Sequence, residues 1–295
     1  AADAAGLVRA AGAALERAGE RVTGRWALYE PRMAGATLAR LSLEGRLRRA
    51  LDRGELELHY QPQAEMAGLS VVGFEALLRW RDPDTSTFIP PAEFIPVAED
   101  GGLILPLGEW VLDEACRQMA AWRRDGLPEL PVSVNLSGRQ LADPHLCRTA
   151  LDTLARHGVP AHRLKVELTE TVLFGSSGGD RQALMQLHQA GVRLLLDDFG
   201  TGYSSLSYLK RFPIEALKID RSFVQGMVGD PDTALIVQTT VNMAHALGMR
   251  VVAEGVETAE ELTFLRAYRC DQVQGYLIAK PLPAPAAADL LRDGR

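Results

Sequence analysis

Short apolar segments alternate with longer amphipathic segments along most of this chain, and this alternation restricts its fold more than any other feature. Eight segments have the length and composition of β-strands, at residues 56–60, 71–78, 132–136, 164–168, 192–196, 216–219, 250–253 and 271–274. Helical periodicity fills most of the intervals, at residues 107–124, 144–157, 180–190, 205–211, 233–247, 259–268 and 286–291. Such alternation is typical of βα units and predicts a largely parallel sheet covered by helices.

The first two predicted strands are an exception, because only residues 61–70 separate them and no helix fits there. They should therefore form an antiparallel pair. A chain of 295 residues is long enough for one barrel of about 250 residues. The sequence thus predicts an α/β fold, a modified TIM-type (β/α)8 barrel with one antiparallel strand, with an open doubly wound sheet as the alternative. Residues 1–42 are predicted to be a leader and linker, and residues 43–295 the main domain.

Composition and charge exclude several classes of protein. The net charge of −6 does not favour a broad basic face for duplex nucleic acid, although metal ions can still make a local pocket attractive to an anion. No apolar run approaches the ~20 residues of a membrane span, so no membrane contact is expected from this chain. The three cysteines are widely separated and odd in number: Cys116, Cys147 and Cys270. This pattern argues against disulfides and against a zinc site, and it favours a reducing compartment such as the cytoplasm. Because the chain starts with alanine, it is expected to be part of a longer, membrane-anchored or sensory protein.

Polar side chains close nearly every predicted strand. In chain order they are Glu75, Arg79, Asn135, Glu167, Asp197, Asp198, Lys218, Asp220, Glu254 and Gln274. In a barrel of this type, the carboxyl ends of the strands meet at one face, where active sites lie. One such residue is more often a solvated strand end or a helix cap, but their succession from strand to strand predicts a functional site.

The chemistry predicted for this site is metal-dependent. Clustered carboxylates raise one another's pKa unless a cation compensates, and oxygen ligands without a His or Cys cluster favour Mg²⁺ or Mn²⁺. The adjacent Asp197 and Asp198 suit two metals about 3.5–4 Å apart, an arrangement that promotes attack of water on a phosphodiester. Lys218 is expected to stabilise charge or orient the water, and Glu254 to accept a proton. A structural ion pair with Asp220 or with a carboxylate at the rim is the alternative for Lys218.

Short motifs follow one another in a fixed order between about residue 43 and residue 291. They are Tyr60-Gln61-Pro62, Glu75-Ala76-Leu77-Leu78-Arg79-Trp80, Asn135-Leu136-Ser137, Glu167-Leu168-Thr169-Glu170, Asp197-Asp198-Phe199-Gly200-Thr201-Gly202, Leu217-Lys218-Ile219-Asp220, Ala253-Glu254-Gly255-Val256-Glu257, Gln274-Gly275-Tyr276 and Lys280-Pro281. In this order and spacing they resemble the EAL domain family, the phosphodiesterases of cyclic di-GMP. The resemblance implies hydrolysis of cyclic di-GMP to linear pGpG with Mg²⁺ or Mn²⁺ at two sites, and inhibition by Ca²⁺.

The resemblance also implies roles for individual residues. The ligands of the first metal would be Glu75, Asn135, Glu167 and Asp197, and those of the second Asp197 and Asp198. The catalytic group would comprise Lys218 at the catalytic water, Glu254 as base or water-mediated ligand, and Glu170, which steadies the loop after the fifth strand. The substrate contacts would be Gln61, Leu78, Arg79 and Gln274, the last near metal-bound water. The supporting loop residues would be Thr201, Gly202 and Glu257.

Two further expectations and two alternatives follow. Residues 7–31 resemble the end of a GGDEF domain, which suggests a tandem parent protein. EAL domains often pair through the helix predicted at residues 205–211, so a homodimer is expected. A catalytically silent receptor for cyclic di-GMP is the main alternative, but no departure from the family pattern is found at the metal or catalytic positions. An aldolase or enolase-like barrel that uses Lys218 is a more distant alternative.

Overall fold

The structure of the protein, a computed structural model, describes residues 11, 31–175, 178–200, 209 and 211–294. The chain divides into two compact units. The described part of the smaller unit comprises residues 31–55 and 80–103, and that of the larger unit comprises residues 56–79 together with the described residues from 104 onward.

Ten strands form one sheet. They are β1 (Leu56–Glu65), β2 (Val71–Arg81), β3 (Phe88–Ile89), β4 (Val132–Asn135), β5 (Leu164–Thr169), β6 (Arg193–Phe199), β7 (Ile214–Ile219), β8 (Arg250–Ala253), β9 (Gln272–Gln274) and β10 (Leu282–Pro283). Eight of them follow the order β1-β9-β8-β7-β6-β5-β4-β2, and a pairing of β1 with β2 closes the ring. This closing pair confirms the predicted barrel and excludes the open sheet.

The strand β1 is the antiparallel member of the barrel. It pairs with β9 in antiparallel register, with Gln63 opposite Gln274, whereas β2, β4, β5, β6, β7, β8 and β9 are parallel to their neighbours in that order. The short strands β3 and β10 add antiparallel pairings with β2 and β1 and were not expected from the sequence. The predicted antiparallel start of the barrel is therefore confirmed.

The described helices match six of the seven predicted ones and add several more. They are α1 (Pro31–Arg53), α2 (Pro91–Asp100), α3 (Ile104–Arg124), α4 (Gly138–Leu141), α5 (Leu146–His157), α6 (Glu170–Gly175), α7 (Gly178–Gln189), α8 (Arg221–Gly226), α9 (Pro231–Ala246), α10 (Ala259–Ala267) and α11 (Ala284–Arg292). The helices α1, α2, α4, α6 and α8 were not predicted. The predicted helix 205–211 lies outside the described residues except for Leu209 and Arg211. None of the described helices combines the length and apolar composition that a bilayer crossing requires.

Alternation along the strands separates two sets of side chains in the larger unit. Leu194, Leu196 and Leu217 belong to the main apolar core, which also includes residues of α3, α5 and α9. Leu195, Ala216 and Val252 form a separate buried cluster, because successive side chains of a strand point to opposite faces. The next residues with the same parity, toward the carboxyl ends, are Asp197, Lys218 and Glu254, so the polar site follows directly from an apolar layer inside the barrel.

The smaller unit has its own small core. Trp80 and Phe94 are fully buried and meet edge to face, with ring centroids 5.5 Å apart. Arg46 lies over the Trp80 ring and donates to Asp82 at 2.9 Å. These contacts tie α1, the end of β2 and α2 into one packed unit.

A lysine-centred acidic candidate active site

Four of the predicted polar residues converge around Lys218. Its side chain is fully buried, and Nζ lies 3.1 Å from Glu75 Oε2, 3.2 Å from Asp197 Oδ1 and 2.5 Å from Glu254 Oε1. It also donates to Glu167 Oε2 in a short hydrogen bond. Four strands of the barrel thus bring carboxylates to one cation, as the pattern of strand ends predicted.

The neighbouring carboxylates stabilise the positive charge of Lys218. Burial alone would lower the pKa of Lys218, but Asp197, Glu167, Glu254 and Glu75 together raise the pKa of this amine well above its ordinary value. Lys218 is therefore a permanent cation at neutral pH. The alternative partner Asp220 instead caps α8, where its carboxylate accepts from the backbone N of Ser222 at 3.0 Å.

One lysine does not neutralise the site. Burial, with repulsion from neighbouring carboxylates such as Glu75, raises the pKa of Glu167 well above its ordinary value. Burial also raises the pKa of Glu254 to about 8, against the attraction of Lys218, and burial with repulsion from Asp197 raises the pKa of Asp198. Glu75 differs: despite its burial, Lys218 and hydrogen bonds from neighbouring amides hold its pKa below the ordinary value. The site is thus short of positive charge.

The donor atoms fit a divalent metal. Asp197, Asp198 and Glu254 each present a carboxylate oxygen, and these oxygens lie within 4.8 Å of one another. Glu167 Oε1 is buried without a hydrogen-bond partner among the described residues. Asp197 Oδ1 is near Lys218 but lacks the geometry of a hydrogen bond. Buried acceptors of this kind need a partner, and oxygen-only ligands suit Mg²⁺ or Mn²⁺.

The backbone of β6 lets two consecutive acids reach the site. In a regular strand, Asp197 and Asp198 would point to opposite faces. The pairing of β6 with β7 is irregular between Leu196 and Phe199, and Asp198 adopts a left-handed conformation with φ of 53°. This irregularity, which is typical of a β-bulge near an active site, turns Asp198 toward Asp197 and Glu254.

Two further predicted residues, Glu170 and Glu257, bind neighbouring segments of the chain. Glu170, almost fully buried at the start of α6, accepts from the backbone N of Gly200 at 3.3 Å, just after β6. Glu257 accepts from Gln225 Nε2 at 3.3 Å. The predicted loop residues Thr201 and Gly202 lie outside the described residues.

Three glutamines form a buried chain that ends on Glu75. Gln274 Nε2 donates to Glu75 Oε2 at 2.6 Å and to Gln61 Oε1 at 3.1 Å, and Gln274 Oε1 accepts from Gln63 Nε2 at 3.0 Å. Asn135 Nδ2 donates to the other oxygen of Glu75 at 2.8 Å. Sequence reasoning missed Gln63, although strand alternation places it on the same face of β1 as Gln61.

Arg79 and Leu78 follow Glu75 on β2. Both are partly buried, and Arg79 Nη1 donates to the carbonyl of Leu78 at 2.9 Å. Burial lowers the pKa of Arg79, while Tyr276 and Glu75 oppose this shift. The guanidinium thus remains a cation close to the site.

Lys165 has a different position from Lys218. It lies two residues before Glu167 on the same face of β5, opposite Ser133 of β4. Burial lowers its pKa, an effect that Glu215 opposes. Because Lys165 is further from the carboxyl end of the strand than Glu167, the structure places it outside the acidic cluster.

The fold and the site define a (β/α)8 barrel with an oxygen-rich candidate metal centre at the carboxyl ends of its strands. Residues 44–281 match the EAL domain family. The chain is 41% identical over 274 residues to MucR of Pseudomonas aeruginosa, a bifunctional diguanylate cyclase/cyclic di-GMP phosphodiesterase, covering 93% of this chain and 40% of that protein. It is 41% identical over 284 residues to the cyclic di-GMP phosphodiesterase PdeR of Escherichia coli, covering 96% of this chain and 42% of that protein.

A solved structure supports the same assignment. The PaMucR phosphodiesterase in its c-di-GMP complex superposes with a TM-score of 0.80 at 43% sequence identity, covering 83% of this chain and 99% of that chain. This chain belongs to the EAL domain family. It spans 40% and 42% of the lengths of MucR and PdeR.

Proposed function

We propose that this chain hydrolyses cyclic di-GMP to linear pGpG with the help of divalent metal ions. The observation that carries the proposal is the complete acidic site around Lys218, with a buried oxygen of Glu167 that has no protein partner among the described residues. The descriptions of MucR and PdeR as cyclic di-GMP phosphodiesterases support this choice of substrate.

Two metal sites are proposed from the same residues. The first is assigned to Glu75, Asn135, Glu167 and Asp197, and the second to Asp197 and Asp198. Mg²⁺ or Mn²⁺ would activate water and hold a phosphoryl oxygen when bound. Ca²⁺, which prefers more ligands at longer distances, is expected to inhibit.

The residues of the chain then act on the proton and the charge of the reaction. Lys218, a fixed cation, orients the attacking water and stabilises negative charge that develops on the phosphate. Glu254, whose pKa is raised to about 8, accepts the proton of the water, a task for which a pKa near the working pH is favourable. Glu170 positions the segment after β6 through its hydrogen bond with Gly200.

Substrate contacts are proposed for residues at the rim. Arg79 is assigned to a phosphate, with Gln61, Leu78 and Gln274 beside the dinucleotide. Loop support is assigned to Thr201, Gly202 and Glu257.

The test is the formation of pGpG by the purified chain with Mg²⁺, Mn²⁺ and Ca²⁺ in separate reactions. We expect turnover with the first two metals and none with Ca²⁺. Binding of cyclic di-GMP without any product, in a folded sample with Mg²⁺ or Mn²⁺, would instead favour the catalytically silent receptor. The raised pKa of Lys218 argues against an aldolase, because a Schiff base requires a neutral amine.

The setting of this activity is also a proposal. Residues 43–295 are proposed as the phosphodiesterase domain and residues 1–42 as a leader from a GGDEF-containing parent, in line with the two activities in the description of MucR. A cytoplasmic location is supported by the three free cysteines. Pairing of two copies through residues 205–211 is proposed from the family resemblance, and sedimentation across protein concentrations tests it.

A further inference from the structure

Gln63 is a fully buried amide that contacts the site through another side chain. It lies on β1 directly opposite Gln274 of β9, and its Nε2 donates to Gln274 Oε1 at 3.0 Å. Gln274 in turn donates to Glu75 Oε2 at 2.6 Å. Gln63 is thus connected with a proposed metal ligand through one intervening amide.

The carboxylate of Glu75 fixes the direction of every hydrogen bond in this chain. An ionised carboxylate only accepts, so the amide nitrogen of Gln274 must face Glu75. The oxygen of Gln274 then faces Gln63, which must donate. If the Gln274 amide were flipped, its oxygen would face the carboxylate of Glu75, so that two acceptors met, and its nitrogen would face the nitrogen of Gln63, so that two donors met. Gln63 therefore stabilises one orientation of Gln274.

The contact with Gln274 is the one hydrogen bond found for the Gln63 side chain among the described residues. Its Oε1 is buried without a hydrogen-bond partner among the described residues, so its amide is not fully satisfied. An apolar side chain would avoid the cost of burying that oxygen. Gly73 leaves room for the amide, since a Cβ there would lie 3.4 Å from Gln63 Oε1.

We propose that Gln63 is a positioning residue: it holds the Gln274 amide so that Glu75 keeps its oxygens aimed at the first metal site. This inference rests on the proposed function. Outer hydrogen bonds of this kind orient metal ligands, and their loss typically weakens metal binding about 10- to 100-fold.

The test uses Gln63→Met, which keeps the length of the side chain and removes its donor. Mn²⁺ binding is measured on the substrate-free protein by electron paramagnetic resonance, and kcat and KM are measured separately. We expect Mn²⁺ affinity to fall by about tenfold, with kcat at fixed subsaturating metal reduced and KM for cyclic di-GMP nearly unchanged.

Two further variants separate positioning from packing. Gln272→Met is the matched control, because Gln272 is a buried glutamine of β9 that donates to Glu65 Oε2 at 3.3 Å. It should bind Mn²⁺ like the unmodified protein. In a Gln274→Met background, the added Gln63→Met change should have no further effect, because its partner is already lost.

Additive losses in the double variant, or equal losses in the Gln63 and Gln272 variants, would overturn the proposal. So would normal Mn²⁺ affinity in Gln63→Met. The metal-binding measurement needs no turnover, so a protein without phosphodiesterase activity would refute the proposed function and still permit this test.

Discussion

The ammonium group of Lys218 lies 2.5 Å from Glu254 Oε1, so a permanent cation and a carboxyl group with a pKa near 8 are direct neighbours at the mouth of the barrel. The two groups have opposite tasks in hydrolysis, since one stabilises negative charge and the other accepts a proton. Their contact depends on two parallel strands in register, with Lys218 opposite Val252 two residues before Glu254. The pair therefore suits general base catalysis next to an electrostatic stabiliser.

Replacement of Lys218 by Met should lower turnover by about 10²–10³-fold, the usual effect of losing one group that stabilises the transition state. Because the side chain is fully buried among carboxylates, the free energy of unfolding of the metal-free protein should also fall by about 3 kcal/mol at pH 7. Since the pKa of Glu75 is held below its ordinary value, its contribution is present at neutral pH and is lost as the pH falls. The stability difference should therefore shrink in acid.

The control for this variant is Lys165→Met, a second buried lysine inside the barrel. It should retain most of the turnover, because Lys165 lies away from the acidic cluster. Urea denaturation at pH 7 and at about pH 3, below the ordinary pKa of Glu75, checks the stability, and rate measurements at pH 7 check the turnover. An equal loss of turnover in the two variants would contradict the assignment of Lys218.

Metal binding should release protons. Burial raises the pKa of Glu254 to about 8, so this carboxyl group is largely protonated at pH 7 in the metal-free protein, and burial shifts the pKa of Glu167 in the same direction. A metal ligand must give up its proton, and a bound cation also lowers the pKa of a carboxyl group as close to the ligands as Glu254 is to Asp197 and Asp198, so Mn²⁺ affinity should rise with pH and level off above about pH 8. Titration calorimetry at pH 7, in two buffers with different ionisation enthalpies, measures the protons released.

Glu254→Gln should release about one proton fewer than the unmodified protein, because an amide has no proton to lose. Glu99→Gln, a change in the smaller unit, is the control. A binding enthalpy that does not depend on the buffer would show that the acids are already ionised, contrary to this expectation.

Asp198→Asn should keep the fold and lose most turnover, by about two orders of magnitude, because Asp198 is a proposed ligand of the second metal. The side chain is only partly buried, so little change in the unfolding midpoint is expected. Asp230→Asn, at the exposed cap of α9, is the control and should turn over normally. Unchanged activity of Asp198→Asn would remove this residue from the metal assignment.

The sequence predicted the barrel and most of the site for one physical reason. Strands in a barrel need apolar side chains on one face, so a polar residue such as Lys218 at a strand end stands out against its neighbours. Short helices were missed because periodicity needs more than one turn, as in α4 at Gly138–Leu141. Its capping box, Ser137 with Gln140, was a signal that could have identified it.

Two other features of the site depend on tertiary structure. The irregular pairing at β6 turns Asp198 toward the site; aspartate adopts a left-handed conformation more readily than most residues, but propensity alone does not show that it does so at this position. The contact of Gln63 with Gln274 joins residues 211 positions apart and depends on the register of β1 with β9. Alternation in the sequence predicts on which face of a strand a side chain lies. The register between two strands that are distant in sequence is known only once the barrel has closed.

Gly275→Ala should destabilise the larger unit by about 3 kcal/mol, the upper part of the usual range for overpacking. A Cβ at this position would lie 2.2 Å from the carbonyl oxygen of Val256 and 2.3 Å from its nitrogen. Both atoms are backbone and both are engaged, since Val256 N donates to the carbonyl of Gln274 at 3.1 Å and Val256 O accepts from Leu277 N at 2.9 Å. Relief of the overlap would therefore break hydrogen bonds next to Gln274.

Gly229→Ala is the control, because a Cβ there meets no atom within 4 Å. In urea denaturation, the midpoint of the Gly275 variant should be well below that of the control. Equal midpoints would mean that the loop after β9 can shift without loss of stability.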